Sequence, residues 1–113
     1  MKIGIIGSGL VGRVLASAFY KEGHSVMIGT RNISKPELVK WQQDNSSILL
    51  GSFQDTAQHG ELLVLAVSGL AAEDAITLSG KEHFFEKVVI DATNPIAAVP
   101  PDNGVLRCFT TLE

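Results

Sequence analysis

A chain of 113 residues with 45% apolar and 19% charged residues can bury a sizeable core and is too apolar to read as a disordered segment. Nine basic residues against twelve acidic ones leave a net charge of −3, and no basic stripe interleaved with aromatics points to nucleic acid. The longest apolar run, Leu62 to Val67, is far short of the roughly 20 residues that cross a bilayer, and Cys108, the only cysteine, excludes an internal disulfide and a cysteine metal cluster.

The first apolar run, Lys2-Ile3-Gly4-Ile5-Ile6, reads as a strand and leads directly into Gly7-Ser8-Gly9-Leu10-Val11-Gly12. Three glycines at this spacing are a weak signal alone. Their setting strengthens it, because they follow a strand and open a helix within one β-α-β unit, as the dinucleotide fingerprint requires. Gly7 serves the sharp turn, Gly9 the close approach of backbone to a pyrophosphate, and Gly12 the packing of helix on strand. The unpaired N–H groups and positive dipole end of that helix attract the pyrophosphate. In the helix itself, Leu10, Val14 and Ala18 recur beside Val11, Leu15 and Phe19, a wide apolar face expected to cover a sheet, and Gly23 is expected to end it in a left-handed conformation.

The second strand runs through Ser25-Val26-Met27-Ile28-Gly29 into Thr30-Arg31-Asn32. NAD-selective sites place a carboxylate at this point for the ribose 2′-hydroxyl, whereas an arginine suits the 2′-phosphate of NADP. No carboxylate stands here. The Thr30 hydroxyl can donate to a phosphate oxygen, the Arg31 guanidinium can bind phosphate bidentately or stack on adenine, and Lys35 is close enough to add a second cation. The chain therefore reads as a binder of NADP.

Ser34-Lys35-Pro36-Glu37 resembles a capping box opening a second helix, with Leu38 and Trp41 facing inward and Val39 a further inward candidate. A short outer strand is expected around Ile48 to Leu50, and a small helix from about Ser52 to His59. The run Leu62 to Val67 lacks polar alternation, as in a central strand covered on both faces. Ser68-Gly69 breaks it, a helix is expected over about 71–78, and Lys87 to Ala92 forms the next parallel strand. The tail 97–104 reads as a loop.

This order implies an α/β fold with a Rossmann-type doubly wound parallel sheet, in which ligands bind beyond the carboxyl ends of the strands. The segments at that edge are Gly7 to Gly12, Thr30 to Asn32, Ala66-Val67-Ser68 and Thr93-Asn94-Pro95. Asn94 is either a hydrogen-bond partner of the ribose or nicotinamide side or part of an ordinary turn. His24, His59 and His83 fall away from this edge, and Asp91 has no visible partner. No side chain is singled out as catalytic, and no metal ligand set is found.

Residues 3–12, 28–32, 64–67 and the element Val89-Ile90-Asp91-Ala92-Thr93-Asn94-Pro95-Ile96 together resemble the N-terminal domain of the NADPH-dependent coenzyme F420 reductase family over residues 1 to about 96. That resemblance implies NADP(H) and coenzyme F420 as cofactors, with hydride passing between stacked rings. It also implies pyrophosphate contacts at Ser8, Gly9, Leu10 and Val11, 2′-phosphate contacts at Thr30 and Arg31, and further cofactor contacts at Ala66, Val67 and Asn94.

The whole of 1–113 is expected to form one NADP(H)-binding domain lacking the last strand and the C-terminal helical portion of that family. The expected setting is cytoplasmic, with a small-molecule dinucleotide as partner, no nucleic acid or membrane, and a homodimer conceivable through the strand at Val88 to Ala92. Three functions stay open: an F420-linked NADP oxidoreductase domain, a non-catalytic NADPH-binding or sensing module, and a related small NADP reductase with another acceptor.

Overall fold

A computed structural model describes residues 1–93; Asn94, the tail at 97–104 and Cys108 lie outside the described residues. Five parallel strands form one sheet: β1 (Lys2–Ile6), β2 (Ser25–Gly29), β3 (Leu49–Gly51), β4 (Leu62–Leu65) and β5 (Val88–Asp91), in the spatial order β3-β2-β1-β4-β5. The chain winds outward from β1 to β3, crosses back, and then builds β4 and β5 on the other side. The switch point therefore lies between β1 and β4. The connecting helices are α1 (Leu10–Lys21), α2 (Pro36–Asp44), α3 (Phe53–His59) and α4 (Ala72–Ser79), with short 3-10 turns at Gly69–Ala71 and Lys81–Phe84.

Apolar strands without alternation follow from a core on each side of the sheet. On one face Ile3, Ile5, Val26, Ile28 and Val64 pack with Ala16 of α1 and with Leu15, Phe19 and Trp41. On the other, Ile6, Leu63 and Leu65 pack with Phe53 and Ala57 of α3 and Ala75 of α4. Register aligns the buried centre of the sheet, since Ile5 stands level with Ile28 on one neighbour and Val64 on the other. Burying a side chain of this size contributes about 1.5–3 kcal/mol each, so this central row is a principal source of stability.

Three expectations need correction. The inward face of α1 is Gly12, Leu15, Ala16 and Phe19, whereas Leu10, Val11 and Val14 are exposed. Close seating of Gly12 against the strand end fixes the helix rotation. Residues two positions away then point about 200° round the helix, at 3.6 residues per turn. Val39 of α2 is likewise exposed while Leu38 is buried. The capping box does not form either: α2 begins at Pro36 with Lys35 as its cap position and no side-chain cap bond. Pro36 restricts Lys35 to extended backbone, which leaves Ser34 one residue too early, and the Ser34 amide instead donates to the Asn32 side chain at 3.0 Å. Gly23, by contrast, adopts φ 93° just past α1, as its helix-ending role requires.

The strand β2 stops at Gly29, and β4 at Leu65, two residues short of the end of its apolar run. Thr30, Arg31, Ala66 and Val67 consequently belong to the loops at the carboxyl edge. No helix of the described residues is long and apolar enough to cross a membrane.

Candidate functional site

Gly7 leaves β1 with φ 128°, in a region that L side chains rarely adopt, and a Cβ there would overlap the Ala66 carbonyl. A Cβ on Gly12 would in turn overlap the carbonyl of Gly7. These two glycines lock the start of α1 against the ends of β1 and β4. Gly9 differs, because a Cβ on it would meet nothing within 4 Å among the described residues. The packing of the described residues gives no reason for a glycine at this position, and the space above it lies over the open end of α1, where Gly9 is the cap position and no side chain caps the helix. The first amides of α1 have no carbonyl one turn earlier to bond. This is the arrangement that suits an anionic group approaching from outside.

The ladder hydrogen bonds continue past the strands and set the loops in place. Gly7 N–H donates to Gly29 at 3.1 Å, Ala66 N–H to Ile6 at 2.8 Å and Thr30 N–H to Gly51 at 3.0 Å. Between these loops lies a cleft of about 330 Å³ lined by Gly7 to Gly9, Thr30 to Asn32, Lys35, Phe53 and Ala66 to Ser68. Of the residues singled out from sequence, the structure therefore gathers Gly7, Ser8, Gly9, Thr30, Arg31, Asn32, Lys35, Ala66, Val67 and Ser68 around one space. Leu10 and Val11 stand exposed at the helix start beside it, and Gly12 is buried beneath it.

Thr30 is the fixed point of the second loop. Only 5% exposed, its hydroxyl accepts hydrogen bonds from Ser8 Oγ at 3.1 Å and from the Asn32 amide at 3.1 Å, and donates to the Asn32 carbonyl at 3.3 Å. Its proton is thus directed into the loop, and its evident role in this structure is to tie the glycine turn to the turn carrying Arg31. Arg31 itself is exposed. Its guanidinium lies over the Phe53 ring, 5.8 Å from the centroid, and Nη2 donates to Asp74 Oδ2 at 2.8 Å. Lys35 Nζ pairs with Glu37 at 3.2 Å. A second hollow of about 300 Å³, lined by Ser52, Gln54 and Leu78, shares Thr30, Arg31 and Phe53 with the cleft, so Arg31 stands between the two.

Two of these groups escape sequence reasoning. Phe53 had a faint signal, since Ser52 caps α3 by accepting from the Asp55 amide at 3.0 Å, which puts the first residue of α3 at the same carboxyl edge. Asp74 had none, being 43 residues from Arg31. Asp91 also finds a partner: the Thr93 hydroxyl and then its amide, at 2.8 Å, donate to the carboxylate and hold its pKa below the ordinary value. The histidines stay remote. His24 meets the N-terminal amine, His59 the Ser25 carbonyl and His83 the Ser79 carbonyl, none of which lines the cleft.

A family model described as coenzyme F420-dependent NADP oxidoreductase matches residues 2–95. Among solved structures, a protein of Arthrobacter sp. FB24 provisionally assigned as an F420-dependent NADP-reductase is 36% identical with a TM-score of 0.81, over 85% of this chain and 46% of that one. An imine reductase variant from Myxococcus stipitatus in complex with NAD+ is 20% identical with a TM-score of 0.63, over 81% of this chain and 31% of its own. Plasmodium falciparum pyrroline carboxylate reductase with NADP bound is 18% identical with a TM-score of 0.65, over 87% and 35%. The last two establish likeness of fold alone. The chain spans less than half the length of each of these proteins, and no curated protein sequence matches it.

Proposed function

Since the chain belongs to the coenzyme F420-dependent NADP oxidoreductase family, corresponding to its N-terminal NADP-binding domain, we propose that it holds NADP(H) in the cleft at the switch point and serves hydride transfer between NADPH and coenzyme F420 or a similar electron carrier. The observation that carries this reading is the convergence of the glycine turn, the Arg31 loop and Ala66 to Ser68 on one space.

Within that reading each group has a physical task. The amides at the start of α1 bind the pyrophosphate, and the open space at Gly9 admits it. Arg31 and Lys35 bind the 2′-phosphate, with Asn32 held in place through Thr30. Ala66, Val67 and Ser68 border the cofactor's far half. The bound dinucleotide supplies the hydride chemistry; the protein contributes position and orientation.

Titrating the purified chain with NADPH and with NADH at low salt tests the binding half. NADPH binding that is at least tenfold tighter supports the reading, and no heat with NADPH overturns it. Loss of deazaflavin absorbance on mixing NADPH, F420 and the protein tests transfer, whereas tight binding without turnover favours a binding or sensing module. A homodimer through β5 belongs to the same reading. Its support is that β5 has no outer neighbour among the described residues and carries Val88 at 68% exposure, and sedimentation of the purified chain tests it.

A further inference from the structure

The loop after β2 carries no acid, yet the folded protein brings one to it. Asp74, in the first turn of α4, accepts from Arg31 Nη2 at 2.8 Å. Phe53 lies under the guanidinium, so the arginine is held between a ring and a carboxylate. Lys35 is matched in the same way by Glu37. Both cations offered to a phosphate are thus already paired, and the acid on Arg31 comes from a different element, free to vary without altering the loop.

We propose that Asp74 is a specificity-determining residue that competes with the 2′-phosphate for Arg31 and so narrows the preference for NADPH over NADH. This rests on the reading that Arg31 receives that phosphate. A phosphoryl group entering here must either displace Asp74 from Nη2 or use the remaining guanidinium donors with a like charge beside it. NADH has no phosphoryl group at this position and meets neither obstacle. Because the two side chains are 52% and 65% exposed, water screens the pair and the competition is modest.

Asp74→Asn keeps the shape and removes the charge. Calorimetric titrations of wild type, Asp74→Asn, Asp74→Lys and Arg31→Ala with NADPH, NADH, 2′,5′-ADP and 5′-AMP read the effect. The expected result is NADPH and 2′,5′-ADP binding about two- to fivefold tighter in Asp74→Asn. Asp74→Lys should add a further gain that shrinks as salt is raised, with 5′-AMP affinity unchanged throughout. Unchanged or weaker NADPH binding in Asp74→Asn, while Arg31→Ala still weakens NADPH selectively, overturns the role of Asp74 and leaves the NADP reading standing. Equal losses of NADPH and NADH in Arg31→Ala overturn both.

Discussion

Gly12 sits so close to the carbonyl of Gly7 that a Cβ on it would overlap that oxygen. The turn can close over the strand end only while this position stays bare, and the rotation of α1 follows from the same contact. A Cβ on Gly9, three residues earlier, would meet nothing within 4 Å among the described residues.

The two positions should therefore separate folding from binding. Gly12→Ala forces the turn or the helix to shift, and overpacking of this kind costs about 1–3 kcal/mol. Gly9→Ala should cost under about 1 kcal/mol, the scale of a helix-cap change. It should nevertheless weaken NADPH binding by roughly tenfold or more, since a methyl group there displaces a phosphate from a charge-assisted contact. Thermal unfolding together with calorimetry on both variants checks the pair of outcomes.

Arg31→Ala should weaken NADPH binding far more than NADH binding. One charge-assisted hydrogen bond is worth about 1.5–3 kcal/mol net, which corresponds to roughly ten- to a hundredfold in affinity. Direct titration with the two dinucleotides measures the ratio, and equal losses for both remove the 2′-phosphate assignment.

Ser8 and Thr30 should behave as a coupled pair because the Ser8 hydroxyl donates to Thr30 at 3.1 Å. A double-mutant cycle with Ser8→Ala and Thr30→Val is expected to show a coupling of about 0.5–1.5 kcal/mol in stability. Thr30→Val alone should also release the Asn32 amide and loosen the Arg31 loop, weakening NADPH more than NADH. Purely additive stabilities would show that the two loops are held independently.

Acid should expose the contribution of Asp91. Its carboxyl is held below the ordinary range by the Thr93 hydroxyl and amide, so the stabilisation is present above the unfolded-state pKa of about 3.9. It is lost as pH falls through the lower folded-state value. Urea unfolding from pH 5 down to pH 2.5 should show a steeper acid-side loss for wild type than for Asp91→Asn. Because Asp91 is largely exposed, the difference will be small. Parallel profiles would remove the assignment.

Much of this protein is written locally. The run Leu62 to Val67, without polar alternation, announced a strand covered on both faces, and the burial of Leu63, Val64 and Leu65 agrees. Glycine spacing after a strand announced the turn, because the contact that keeps Gly12 bare is with Gly7, five residues earlier, although the carbonyl that crowds Gly7 belongs to distant Ala66. Thr30, Arg31 and Lys35 were legible for the same reason: the end of β2 must lie at the carboxyl edge once the sheet is parallel.

Only the tertiary structure decided what acts between distant segments. Which part of the wide apolar face of α1 turns inward was decided by its seating on the sheet, which packs Leu15 and Phe19 against the core and leaves Leu10, Val11 and Val14 exposed. The start of α2 depended on the restriction that Pro36 places on Lys35, and Ser34 lost the capping role that its spacing suggested. Phe53 and Asp74 reached Arg31 through the crossover that brings α3 and α4 to one face of the sheet. Periodicity and motif spacing describe neighbours along the chain, whereas a carboxylate 43 residues away becomes a neighbour only when the core is packed.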